Sequence, residues 1–285
     1  MQEGRGYNGA MTSALPIDFW NDVLRFAQDL TEQVGSKLLR DSRGLRMAIQ
    51  KEDGSLVTDS DRWADEYIRK AIATTFPEHG VLSEEAEHRF PTEDWCWVVD
   101  PLDGTTNFAR GIPIWAISLG LLYRGVPVFG YVSIPPLDQV LYGYWSGTTL
   151  LAGMPEGAFF HGERIKPTAA DLGPNTFFSF CSRSLPRVQY PFPCKIRALG
   201  VASYNLLGVA IGTMQGAVEA TPKVWDIAAA WVIVQASGGV WLALKGDAPF
   251  PLEPGKDYGE QAFPTLVVSR KELVPVFLGR IPALS

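Results

Sequence analysis

Apolar residues at Phe19, Val23, Phe26, Ala27, Leu30, Val34 and Leu38 recur with the 3.6-residue period of a helix. The stripe predicts an amphipathic helix over about 16–39, with Pro16 suited to a first turn that needs no amide donor. A second helix is expected over about 61–76, where Ala64, Tyr67, Ile68, Ala71 and Ile72 share a face. The run from Thr58 to Asp61 offers oxygen acceptors for its leading amides. The pattern then changes to strands. A short apolar run at 96–99 ends at Asp100-Pro101, where the proline is expected to stop pairing. Runs at 114–123, 128–134 and 139–144 are joined by Arg124-Gly125 and Pro135-Pro136 turns and read as an antiparallel meander. Past a loop at 147–157, strands are expected near 177–180, 217–219, 240–243 and 266–268, and helices at 203–211 and 226–237. Helices, then a sheet, then mixed elements predict an α+β protein built in layers, not a repeated βαβ barrel.

Composition narrows the function classes. The 285 residues carry 31 acidic and 25 basic side chains, a formal charge of −6, and no block of five Lys or Arg. A broad basic face for nucleic acid is therefore not expected. No apolar run approaches the ~18 residues of a membrane span; the most apolar one, 112–123, is flanked by Arg110 and Arg124. Positions 1–13 lack the apolar core of a secretory signal and read as a flexible leader, with Met11 as an alternative start. Cys96, Cys181 and Cys194 are odd in number without CxxC spacing, and His79, His88 and His161 are scattered singly. Neither a disulfide framework nor a Cys/His zinc site is expected, and a cytoplasmic location follows.

The densest chemistry lies in Trp97-Val-Val-Asp100-Pro-Leu-Asp103-Gly-Thr105-Thr-Asn107. An apolar strand delivers Asp100 to a sheet end, and Asp103 follows close enough to face the same point. The Leu102 carbonyl adds a third oxygen, and Gly104 permits close backbone approach to a ligand. A helix beginning at Thr105 would offer amides to a phosphate. Oxygen donors without nitrogen or sulfur select Mg²⁺ or Mn²⁺ over zinc. Alone, Asp-Gly is only a turn, the Glu84-Glu85 pair a solvated face, and Asp226 ahead of an Ala-rich helix an N-cap.

Together, Asp100-Pro-Leu-Asp103-Gly-Thr-Thr-Asn107, Glu84-Glu85, and Trp225-Asp226-Ile-Ala-Ala-Ala with Gly238-Gly239 resemble the inositol monophosphatase family of lithium-sensitive, magnesium-dependent phosphatases. Lys51, Thr58, Asp61 and Gly200-Val-Ala202 are weaker matches, and the likeness runs from about residue 17 onward. It implies an α-β-α-β-α sandwich like that of fructose-1,6-bisphosphatase, usually dimeric, with two or three metal ions. By the resemblance, Glu84, Asp100 and the Leu102 carbonyl hold one metal, and Asp100, Asp103 and Asp226 a second. Glu84 and Thr105 orient the attacking water, with Asp61 accepting the Thr105 hydroxyl proton. The Gly104 and Thr105 amides cradle phosphate, Glu219 accepts a substrate hydroxyl, and Ser182 and Ala202 line the alcohol side.

The expected reaction is in-line attack of a metal-activated water on a small phosphorylated polyol or sugar, most of all inositol monophosphate. Histidinol phosphate, fructose 1,6-bisphosphate and 3'-phosphoadenosine 5'-phosphate are alternative substrates. A second phosphate needs extra cations, for which Arg183, Arg187, Lys195, Arg197 and Lys223 are candidates, whereas Glu219 favours a hydroxyl. A phosphate-binding or protein-interaction module on the same fold is the non-enzyme alternative. The expected organisation is a leader at 1–14, a metal-binding half at 15–150 and a half at 151–285 that completes the site.

Overall fold

The computed structural model describes residues 17–44, 48–50 and 56–282; the 1–14 leader, Pro16 and Lys51 lie outside them. Helix α1 (Ile17–Asp41) leads through the hairpin strands β1 (Ala48–Gln50) and β2 (Leu56–Thr58) to α2 (Asp59–Thr75). Helix α2 begins at Asp59, two residues before the expected start at 61, because Thr58 caps it and Asp61 reaches back to the Thr58 amide.

A seven-stranded sheet follows: β3 (Gly80–Ser83), β4 (Trp95–Asp103), β5 (Ala116–Tyr123), β6 (Val126–Ile134), β7 (Gln139–Tyr144), β8 (Gly157–Phe160) and β9 (Glu163–Arg164), neighbours in that order. Only the β3–β4 pair is parallel; the rest is the expected meander, carried past residue 150 by β8 and β9. Helix α3 (Thr105–Arg110) sits in the β4–β5 connection. The second sheet has five strands in the order β11 (Lys195–Arg197), β10 (Phe177–Phe180), β12 (Gly216–Glu219), β14 (Thr265–Val268) and β13 (Val240–Ala243). Helices α4 (Ala202–Ala210) and α5 (Val224–Ser237) lie between the sheets, and α6 (Val274–Leu278) lies on the outer face.

Strand β4 shows why the layers stack as they do. Its side chains alternate, with Cys96 and Val98 in the core shared with α4 and α5, and Trp97 and Val99 in the core under α1 and α2. In β14, Val267 faces the central helices while Leu266 and Val268 face Phe277 of α6. Both sheets are thus covered on both faces, which gives the α-β-α-β-α sandwich. Helix α5 is apolar almost all round because sheets lie on two of its sides. No helix among the described residues is long and apolar enough to cross a membrane.

The Ala-rich stretch of α5 matches a groove of small residues. Gly120, Gly130 and Gly143 are paired across β5, β6 and β7, and a Cβ at Gly130 would come within 2.3 Å of the Ala229 carbonyl oxygen. A backbone carbonyl cannot rotate aside as a side chain can. Gly130→Ala is therefore expected to cost about 3 kcal/mol and to lower the thermal midpoint by roughly 10 °C. An unchanged midpoint would mean that α5 does not depend on this groove.

Two expectations change. The strand expected to stop at Asp100-Pro101 continues to Asp103, because the register shifts between Asp100 and Asp103 and the proline sits in that bulge. Asp226 lies in the first turn of α5 and not at its beginning, since the helix starts at Val224.

Candidate active site

Parallel pairing of β3 and β4 sets Ser83 opposite Val99, so Glu84 and Asp100 leave the sheet at the same level. The Glu84 amide donates to the Val99 carbonyl at 3.2 Å. Ser83 donates to the buried Asp65 of α2 at 2.5 Å, which fixes the strand that carries Glu84. The bulge at Pro101 turns the chain so that Asp103 faces the space Asp100 borders. Asp103 then meets the start of α4, accepting from the Ala202 amide at 3.1 Å, the Ser203 amide at 2.7 Å and the Ser203 hydroxyl at 2.6 Å. Asp226 accepts from the Lys223 amide at 2.6 Å. One oxygen from each of Asp100, Asp103 and Asp226 falls within 4.8 Å of the others.

This convergence is costly in the absence of cations. Burial pushes the Asp100 carboxyl well above the usual carboxylate range, and the charges of Glu84, Asp103 and Asp226 push it further. Asp226 is raised in the same way by burial, Asp103 and Glu84. Burial also raises Asp103, opposed by its hydrogen bonds from Ser203 and Ala202. The upward pushes on these groups come from burial and, at Asp100 and Asp226, from neighbouring carboxylates.

Gly104 makes the turn after Asp103 with φ at +94°, and a Cβ there would lie 2.7 Å from Val201 Cγ2. It leads into α3, where the Thr105 hydroxyl lies 2.8 Å from Asp61 Oδ1 and 3.0 Å from the Leu102 carbonyl. Asp61 is buried and also accepts from the amide and hydroxyl of Thr58. Burial raises its carboxyl, and the donors from Thr58 and Thr105 counter that rise. Asn107 donates from Nδ2 to the carbonyls of Ile114 and Leu199 at 2.9 and 2.8 Å, which holds the loop before α4 against the turn.

Glu84, Asp103, Thr105, Glu219 and Asp226 border one cavity of about 290 Å³, with Gly104, Ser182 and Ala202 in its wall. Asp100 lies beneath, 1% exposed. Glu219 ends β12 and accepts from Asn205 Nδ2 at 2.7 Å, in a hydrogen-bonded chain that continues from Ser179 to Asn205 Oδ1 at 2.5 Å. Burial, with the charge of Asp103 added, lifts the Glu219 carboxyl to about 8, against the pull of Asn205 and the Cys181 thiol. The structure thus gathers the sequence-predicted positions around one space, with Asp61 one layer out behind Thr105.

Three residues with a part at this site are given no role there by the sequence. Ser203 and Asn205 hold Asp103 and Glu219 in place. Their signal was available, since both are polar in an otherwise apolar helix. His88 lies 2.8 Å by Nε2 from the Glu84 carbonyl and packs against the Trp225 ring with centroids 4.8 Å apart, linking the neighbours of Glu84 and Asp226. No local pattern distinguishes His88 from a surface histidine.

Residues 20–272 match the model of the inositol monophosphatase family. The chain belongs to that family. Family relatives include a fructose-1,6-bisphosphatase/inositol-1-monophosphatase of Thermotoga maritima, 33% identical over 233 residues, which are 79% of this chain and 86% of the relative. A histidinol-phosphatase of Mycobacterium tuberculosis is 34% identical over 213 residues, 70% of this chain and 78% of its own. Among solved structures, the Thermotoga maritima IMPase superposes with a TM-score of 0.75 at 28% identity, covering 93% of this chain and all of the other. This inositol monophosphatase family member is a phosphoric monoester hydrolase of a class that uses divalent metal and acts on small phosphorylated substrates.

Proposed function

We propose that the chain hydrolyses inositol monophosphate with Mg²⁺, using water as the nucleophile. The observation that carries this reading is the meeting of the buried Asp100 and Asp103 with the half-buried Asp226 beside Glu84, at the mouth of a turn suited to phosphate. The donor set fits a hard cation. All its atoms are oxygens, and the buried carboxylates raise one another's pKa. Glu84, Asp100 and the Leu102 carbonyl would hold one ion, and Asp100, Asp103 and Asp226 a second. When bound, such cations offset the negative charge of the phosphate and acidify water.

The chain's own groups do the positioning. Asp61 takes the Thr105 hydroxyl proton, which turns the Thr105 lone pairs toward the cavity to accept from a water. Glu84, at the end of β3, accepts that water's other proton and so aims its oxygen at phosphorus. The amides of Gly104 and Thr105 meet the phosphate oxygens at a helix start, where such amides have no acceptor within the helix. On the far side, Glu219 accepts from a hydroxyl of the polyol, held by Asn205 so that its oxygen does not turn away. Ser182 and Ala202 border the same side.

The test is phosphate release from myo-inositol 1-phosphate in Mg²⁺, repeated with chelator and in ¹⁸O-labelled water. Release that stops with chelator and places one label in each phosphate after a single turnover is the expected result. Label in the alcohol, or no release from any of a dozen phosphomonoesters, would overturn the reading.

A further inference from the structure

Five serines among the described residues, Ser83, Ser118, Ser179, Ser184 and Ser203, are 0% exposed. Ser83 donates to Asp65, Ser179 to Asn205 and Ser203 to Asp103, and Ser184 shares a hydrogen bond with Cys181. Ser118 of β5 differs: its buried hydroxyl has no hydrogen-bond partner. Three other buried side-chain atoms among the described residues lack one, the indole nitrogens of Trp20, Trp231 and Trp241. Those rings lie against other aromatic rings, and the apolar area they bury offsets an unpaired N–H. A serine has no such offset. Alanine would fill the position without holding a hydroxyl out of water.

Ser118 stands directly opposite Asp100 in the antiparallel β4–β5 pair. Its neighbours Ile117 and Leu119 enter the core under α1 and α2, so Ser118 faces the other side, toward α5. Asp100 faces the same way, because Val99 lies in the core under α1 and α2 and Val98 in the core shared with α5. Opposed residues on one face of such a pair have Cβ atoms about 4.5–5.5 Å apart, within reach of a hydroxyl and a carboxylate. On its other side Ser118 pairs with Val132, whose side chain offers no acceptor. Two residues along, Gly120 is pressed against α5, where a Cβ would come within 3.0 Å of Ala228 Cβ. The helix that carries Asp226 thus closes over this part of the sheet. Asp100 is 1% exposed, and its Oδ1 accepts from the Leu102 amide at 3.0 Å. A carboxylate has about four lone-pair sites, so a second donor from the β5 side can be taken.

We infer that Ser118 is a positioning residue of the metal site: its hydroxyl donates to Asp100 when that carboxylate holds cations, and so fixes the angle at which Asp100 presents its oxygens. The inference rests on the reading of Asp100 as a metal ligand shared by two ions, and adds to it a residue that touches neither ion nor substrate. It also accounts for a serine at a place where the fold alone would be served by alanine.

The test measures the Mg²⁺ dissociation constant by calorimetric titration, and thermal midpoints in chelator and in Mg²⁺, for the wild type, Ser118→Ala and Ser118→Cys. Cysteine fills the space with a weak donor, so it separates the hydrogen bond from the packing. The dissociation constant is expected to rise about tenfold in both variants. The midpoint in chelator is expected to stay at or above that of the wild type, because the lost hydroxyl had no partner there. Turnover of myo-inositol 1-phosphate should need correspondingly more Mg²⁺ and recover when Mg²⁺ saturates. An unchanged dissociation constant in Ser118→Ala, weakening in Ser118→Ala but not in Ser118→Cys, or a midpoint that drops in chelator overturns the positioning role and leaves the metal reading standing. A wild type whose titration heat and midpoint both ignore Mg²⁺ overturns both.

Discussion

Asp103→Asn is expected to lower turnover by two to four decades at saturating Mg²⁺ while the protein stays folded. The separation of the two effects follows from what Asp103 touches. Toward the cavity, its charge is one of three that meet within 4.8 Å, and an amide removes both that charge and one of the two oxygens. Toward α4, the carboxylate accepts three hydrogen bonds, from the Ala202 amide and from the amide and hydroxyl of Ser203. A carboxamide keeps its oxygen for Ser203 and turns an NH₂ toward the Ala202 amide, so one capping bond is lost. That loss is worth about 1 kcal/mol, and removal of a buried like charge beside Asp100 and Asp226 offsets part of it. Turnover and the thermal midpoint measured on one preparation check this. Near wild-type turnover would remove Asp103 from the metal-binding group. A midpoint collapsed by tens of degrees would mean that the lost activity reflects unfolding. Ser203→Ala should show a milder form, because it removes one of the donors that aim Asp103.

Much of this site was legible because its residues come in short runs whose local chemistry is unusual. Asp100 to Asn107 carries two carboxylates, the turn glycine and the start of α3 in eight positions, so a strand followed by a turn is enough to place them. Glu84 and Asp226 were legible only by resemblance, since a glutamate pair and an acidic helix start occur in many proteins for other reasons. What joins them is the parallel β3–β4 pairing and the packing of α5 between two sheets, both of which depend on contacts far apart in sequence. The elements themselves were read well where one face is buried and less well elsewhere. The edge strands β9 and β11, and β8 next to the edge, were not predicted, being short and partly exposed. The extension of β4 through Pro101 was missed because proline argues against pairing, and only the neighbouring strand shows that a bulge absorbs it.

The raised carboxyls make a second large effect, a metal-free protein that weakens as pH rises. Each of Asp100, Asp103, Asp226 and Glu219 has a folded-state pKa above its ordinary value. At a pH below the ordinary values, the folded and unfolded chains are both protonated at these positions and the groups contribute nothing to stability. As pH climbs past those values, the unfolded chain releases protons that the folded chain still holds. The folded state then binds more protons, and stability falls with rising pH until the raised folded values are passed. For Glu219 the window runs from 4.5 to about 8. The aspartates start losing stability from 3.8 upward. Bound cations reverse the sign of the local field, so Mg²⁺ should favour the ionised carboxylates and remove most of the slope. At a hundredfold excess over its dissociation constant, a single ion adds about 2.7 kcal/mol. Thermal midpoints from pH 5 to 8, in chelator and in Mg²⁺, should therefore diverge as pH rises, with the chelated protein the lower. The difference between the two curves is the useful quantity, because titration elsewhere in the chain is common to both. Asp103→Asn should narrow the gap by lightening the charge that Mg²⁺ compensates. Curves that stay parallel over this range would mean that the buried carboxylates are not where the cation binds.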